Sequence, residues 1–145
     1  MARGSPILLS LALFPGCGGA GHSGPAAAYT TAPPADAVPL PFGKTALIGG
    51  LRLSFTKVAG DSRCPVDVNC VWAGDAEIEL VADPPCYPGC DAPSKLLRLH
   101  TGLEPRSGEF MGFRIQLAGL SPSPKSGKPI PPADYVAWLR VEKQP

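Results

Sequence analysis

Four of the five cysteines fall in two close pairs, and that spacing limits the fold more than any other feature of the chain. Cys64 and Cys70 form a C-x5-C pair, and Cys86 and Cys90 a C-x3-C pair. Four cysteines permit three connectivities. The most local one joins Cys64 to Cys70 and Cys86 to Cys90, so that each bridge staples a single connection. Disulfides persist outside the cytoplasm, so the spacing predicts an exported, disulfide-stapled domain. The fifth cysteine, Cys17, stands alone and needs a separate explanation.

The residues before Cys17 supply one. Arg3 gives a single positive charge, Ile7 to Phe14 is an apolar run of signal-peptide length, and the first acid is Asp36. This reads as a secretory signal over residues 1–16. Leu13-Phe14-Pro15-Gly16 before Cys17 resembles a bacterial lipobox, with Gly16 as the small residue ahead of a lipid-bearing cysteine. Cys17 is therefore expected to begin the mature chain and anchor it to a membrane. Acyl chains supply such an anchor through about 0.8 kcal/mol per buried methylene. The competing expectation is an ordinary cleaved signal and a periplasmic or secreted protein. Residues 17–41 are rich in Gly, Ala and Pro with one charge, Asp36, and read as a linker. With no run of about 18 apolar residues, no spanning helix is predicted.

From residue 42 to 145 the pattern becomes that of strands. Leu51, Leu53 and Phe55 alternate with Arg52, Ser54 and Thr56, directly after a Gly49-Gly50 turn that follows Thr45–Ile48. Ala76–Ala82 alternates with Glu77 and Glu79 on the wet face. Lys95–Thr101, Phe113–Leu117 and Tyr135–Glu142 complete the set. The expectation is all-β: an antiparallel sandwich or small barrel of about six strands. Its core candidates are Leu53, Phe55, Ile78, Leu80, Leu97, Leu99, Phe113, Ile115, Leu117, Tyr135, Ala137, Leu139 and Val141. Lys plus Arg (13) almost equal Asp plus Glu (12), and loss of the leader with Arg3 makes them equal. A neutral chain gives no electrostatic case for nucleic acid, whose binding neutralises phosphates.

The stretch from Asp61 to Asp75 is the densest in distinctive residues. A Cys64–Cys70 bridge would fix it, Trp72 is expected to close an open end of the core, and Gly74 leads into the next strand. Any recognition surface is expected at the tip, with Arg63 and Asp67 as polar contacts. The pattern D-S-R-C-P-x4-C-V-W-A-G (Asp61 to Gly74) resembles one in a family of uncharacterised exported bacterial proteins, many of them apparent lipoproteins. The likeness extends to Gly43–Val58, Thr101–Arg106 and Tyr135–Val141, roughly residues 43 to 142. It implies an envelope location and a β-rich fold, and no activity. The Cys86/Cys90 segment lies outside that pattern.

Three functional readings follow. The first is a lipid-anchored extracytoplasmic domain that binds a protein or small molecule or makes structural contacts. The second is an exported peptidase inhibitor using Arg63 beside Cys64 as bait. The third is an envelope metal-handling protein using Cys86, Cys90 and His100, though such sites want three or four convergent ligands and a disulfide is the expected use of the pair. No catalytic residue, cofactor or metal site is predicted. A Ser or Cys nucleophile needs a base, and the histidines are His22 in the linker and His100 on a strand. Gly43-Lys44-Thr45 has Val38 where a phosphate-binding loop needs Gly, and Val71 and Trp72 fall where a calcium loop beginning at Asp67 needs ligand and glycine.

Overall fold

In the computed structural model, residues 34–145 are described. Residues 1–16, read from the sequence as a signal, and Cys17 and His22 lie outside them. Eight strands form two four-stranded antiparallel sheets. In chain order they are β1 (Val38–Pro41), β2 (Thr45–Ile48), β3 (Leu51–Asp61), β4 (Ala76–Asp83), β5 (Lys95–His100), β6 (Ser107–Phe110), β7 (Phe113–Ser121) and β8 (Val136–Lys143). One sheet has the order β1-β8-β7-β6 and the other β2-β3-β4-β5. The sheets face each other as a sandwich and do not close into a barrel. Among the described residues no helix is long and apolar enough to cross a membrane.

The Gly49-Gly50 turn joins β2 to β3 with Ile48 opposite Leu51. Both glycines have positive φ, 59° and 91°, which a two-residue hairpin of matching twist requires. A Cβ on Gly49 would also sit 2.8 Å from the Val141 carbonyl oxygen. β3 continues past the expected Val58 to Asp61, with register shifts between Phe55 and Lys57 and between Val58 and Gly60. Such bulges sharpen the twist of a long strand. The alternation of β4 buries Ala76, Ile78, Leu80 and Ala82 while Glu77 and Glu79 face outward. There Arg98 on β5 lies between both glutamates.

The expected core residues are all buried except Val141, which is partly buried against the rest. Leu40, Ile48, Leu51, Ala76, Ala82 and Leu120 join them. No buried residue of the described chain is polar or charged apart from the Tyr135 hydroxyl, and no buried side-chain N or O lacks a hydrogen-bond partner.

Two strands depart from the sequence expectation. β1 lies within the stretch read as linker, so the folded domain begins before residue 42. Its prolines, Pro39 and Pro41, are tolerable because β1 is an edge strand. Leu40 is fully buried opposite Ala137, and just before the strand Arg140 donates two hydrogen bonds to the Asp36 carboxylate at 2.6 and 2.7 Å. β6 is the other. Its Gly108 packs against the facing sheet, where a Cβ would sit 2.9 Å from Leu97 Cδ2.

The connections sort to two ends. Asp61 pairs with Ala76, His100 with Glu77, and Ser121 with Val136. The segments 62–75, 101–106 and 122–135 therefore share one end of the sandwich. The Gly49-Gly50 turn and the 84–94 connection lie at the other.

Candidate functional site

The 62–75 segment is held from its base upward. Ser62 N–H donates to the Asp75 carbonyl at 2.7 Å and Cys64 N–H to the Ala73 carbonyl at 2.8 Å, which extends the β3–β4 ladder beyond the strands. Gly74 makes this possible. Its φ is 73°, and a Cβ would fall 1.9 Å from the Ser62 carbonyl oxygen, so no side chain fits. Above the base, Cys64 and Cys70 form a disulfide with Cα atoms 5.9 Å apart. Closing so short a loop constrains the unfolded chain by roughly 2 kcal/mol. The tip is tied sideways as well. Val66 N–H donates to the Pro124 carbonyl at 3.0 Å, and Asp67 Oδ1 accepts the Ser126 N–H at 2.8 Å.

Arg63 is not at the tip. Its side chain turns inward and is only 13% exposed. Nε and Nη2 donate to the Asp61 carboxylate at 2.8 and 2.6 Å, Nη2 also donates to the Pro122 carbonyl, and Nη1 donates to the Leu120 carbonyl. The Tyr135 hydroxyl donates to the same carboxylate at 3.0 Å. The cluster clamps the end of β3 to the end of β7 and the start of β8, one sheet to the other. Burial pushes the Asp61 carboxyl up, but the bonds and charge of Arg63 outweigh it and hold the group below its ordinary value. Burial, reinforced by the Asp61 charge, pushes the Tyr135 hydroxyl up to about 12. The expectation of Arg63 as a recognition contact or inhibitor bait is therefore corrected: its donors are spent inside the fold. Asp67 is exposed, with one oxygen engaged on Ser126.

Trp72 is likewise the reverse of the sequence expectation. It does not close the core; it is 82% exposed, and Val71 beside it is 93% exposed. Tyr135 and Leu120 are buried at this end instead, with the Arg63 clamp bonded to both residues. Val66, Val68 and, on the neighbouring 101–106 segment, Leu103 are also exposed. The loop end thus presents an apolar tip on a backbone fixed by a bridge, a ladder and two lateral ties. Beside it runs a shallow groove of about 400 Å³ whose lining includes Pro65, Pro124, Lys125, Lys128 and Ile130.

Asp75 organises the adjoining segment, a role the sequence reading did not give it. Its carboxylate accepts from His100 Nδ1 at 2.6 Å, from the N–H groups of Gly102 and Leu103 at 2.7 and 3.2 Å, and from the Thr101 hydroxyl at 3.3 Å. Burial raises its pKa, and these donors, His100 foremost, lower it further than burial raises it. The hydroxyls around it are committed. Ser62 Oγ donates to the Asp75 carbonyl, and Thr101 Oγ1 accepts the Ala76 N–H. The only sequence signal was the T-G-L turn at 101–103, whose free amide donors call for a nearby acceptor.

The second pair, Cys86 and Cys90, is also a disulfide, with Cα atoms 5.6 Å apart. It lies in the 84–94 connection, beyond Asp83 and Lys95, whereas His100 ends β5 at the far side of the same sheet. The two sulfurs are bonded to each other and the imidazole to Asp75 at the opposite end of the sheet, so Cys86, Cys90 and His100 are not brought together. Among the described residues no group of three His, Cys, Asp or Glu could hold a metal ion. Two disulfides are the chemistry of an oxidising, extracytoplasmic setting. No protein-family model, curated protein or solved structure matches this chain.

Proposed function

We propose that this protein is an exported envelope component, anchored through lipid on Cys17, whose β-sandwich works by binding, with the Cys64–Cys70 loop as its contact surface. One observation carries the reading: Val71 and Trp72 stand in solvent on a backbone that is rigid. An exposed Trp gains nothing for the fold, yet a fixed aromatic is the residue type that dominates recognition energetics. Ordering costs are already met before contact, which favours affinity. The resemblance of the Asp61–Gly74 pattern to exported bacterial lipoproteins agrees with the location, and the two disulfides agree with export.

The test separates fold from contact. Trp72→Ala should unfold within about 0.5 kcal/mol of its parent, as exposed sites do, while in a Cys17→Ser background, free of the acyl anchor, association with isolated cell envelopes falls. Cys17→Ser should move the protein from the membrane to the soluble fraction. A Trp72→Ala protein that is destabilised by several kcal/mol, or that in this background associates with envelopes as its parent does, would refute the assignment of this loop.

A further inference from the structure

The shape of the exposed tip selects among possible partners. Val71 and Trp72 project clear of their own domain, so two side chains provide most of the apolar area. A standard protein interface needs roughly 800 Å² from each partner, far more than such a spike offers. A bilayer surface needs only that an aromatic and its apolar neighbours sink to headgroup depth, where Trp is favoured. The tip suits that environment. From Ser62 to Ala73 the charged residues are Arg63, turned inward, and Asp67, tied to Ser126. The ties to Pro124 and Ser126 hold Lys125 beside Val66 and Asp67 of the same loop, and Lys128 lines the groove there with Pro65, so two cations stand next to the loop that carries the spike and suit it to an anionic headgroup layer. Leu103 widens the apolar footprint.

The chain N-terminal to the sandwich adds a second argument. From Cys17 to Pro34 there are sixteen intervening residues of Gly, Ala, Pro, Ser and Thr type with His22 and Tyr29, so covalent geometry alone keeps the sandwich within roughly 60 Å of an acyl chain on Cys17. A domain held at that length meets the membrane at high effective concentration, so a contact of only millimolar strength, which titration with vesicles still reads, is enough to orient it.

We infer that the Val71-Trp72 tip, with Lys125 and Lys128 beside the same loop, docks into the headgroup region of a phospholipid bilayer and sets the orientation of the domain on the membrane that anchors it. This rests on the proposed envelope location, but the loop's affinity for lipid does not require the anchor.

The test uses the exported chain carrying Cys17→Ser, so that no acyl chain contributes, and Trp138→Phe, so that Trp72 is the sole tryptophan. Vesicles of phosphatidylethanolamine and phosphatidylglycerol are titrated in. Trp72 emission should shift to the blue, and lipids brominated near the glycerol should quench it more than lipids brominated at the chain ends. In the parent carrying Cys17→Ser alone, Trp72→Ser should lower vesicle co-sedimentation about tenfold or more, the value of burying one aromatic. Lys125→Gln with Lys128→Gln should weaken binding only where phosphatidylglycerol is present. Emission unmoved and unquenched at millimolar lipid overturns the inference. A blue shift that grows with protein concentration in the absence of lipid also overturns it, in favour of a second copy of the chain. Fractionation of cells expressing wild type and Cys17→Ser reads the anchor separately: equal fractionation sinks the anchor while leaving vesicle docking standing.

Discussion

Tyr135→Phe isolates the clamp between the sheets. The ring is buried and its packing is kept; the variant removes only the hydroxyl that donates to Asp61 Oδ2 at 3.0 Å. A hydrogen bond to a charged acceptor contributes about 1.5–3 kcal/mol. Asp61 keeps its Arg63 bonds in the variant, so the low end applies, and the loss at neutral pH should be about 1.5 kcal/mol. The more diagnostic effect is at alkaline pH. The hydroxyl titrates near 10 in the unfolded chain and at about 12 in the folded one. Between those values the folded state keeps a proton that the unfolded state releases. This contribution is therefore complete below pH 10 and is lost as pH rises toward 12, a change of about 3 kcal/mol for two pKa units. Phenylalanine has no proton to lose. The stability difference between wild type and Tyr135→Phe should shrink above pH 10 and change sign before 12. Urea unfolding of the two proteins at matched pH values measures it, and the comparison cancels every contribution the two proteins share. If the two curves fall in parallel from pH 9 to 11.5, the Tyr135–Asp61 bond does not hold as described. On the acid side Asp61, whose folded pKa is depressed, contributes stability that is present above its unfolded value and lost as pH falls through the folded one.

Two further outcomes are expected. Arg63→Ala leaves the Asp61 carboxylate, itself only 9% exposed, without its charge partner, and should destabilise the protein by about 3 kcal/mol; a loss under half a kcal/mol in denaturant unfolding would return Arg63 to the surface. Ile115→Ala, at a fully buried position in the middle of β7, should cost about 2–5 kcal/mol by the same measurement, and a neutral result would mean that β7 presents its other face to the core.

The strands that could be read from the sequence are those whose alternation is uninterrupted. Leu51-Arg52-Leu53-Ser54-Phe55 and the Ala76–Ala82 segment state their inward faces residue by residue. β1 was hidden because Pro39 and Pro41 are linker residues by composition, and only the partner strand β8 reveals that their missing N–H groups fall on an edge. β6 was hidden by Gly108 and by a Met111-Gly112 hairpin turn, with φ of 49° and 79°, which lacks the Asn-Gly or Asp-Gly signature. The two disulfides followed from spacing alone, because a local bridge leaves its mark in local sequence. Trp72 and Arg63 were exchanged for a tertiary reason. Beside the local Asp61 carboxylate, two long-range acceptors, the Leu120 and Pro122 carbonyls, draw the cation inward, and nothing in the loop's sequence announces those two. Burying the arginine stem in the place expected for the indole leaves the indole outside.

Both disulfides flank β4, one before it and one after, so the bridges stand at opposite ends of an eight-residue strand, roughly 25 Å apart. Each bridged cysteine has its own partner within a few residues, and in an extended, unfolded chain it encounters that partner far more often than either member of the other pair. Oxidation can then occur in any order, before or after the sheets assemble, and the correct pairing is also the fastest one. Such a domain places little demand on a disulfide isomerase. Neither bridge ties one sheet to the other, so cohesion of the sandwich falls to Phe55, Ile115 and their neighbours and to the Arg63 clamp. Reducing agent should loosen the rims of this protein and leave its two sheets together.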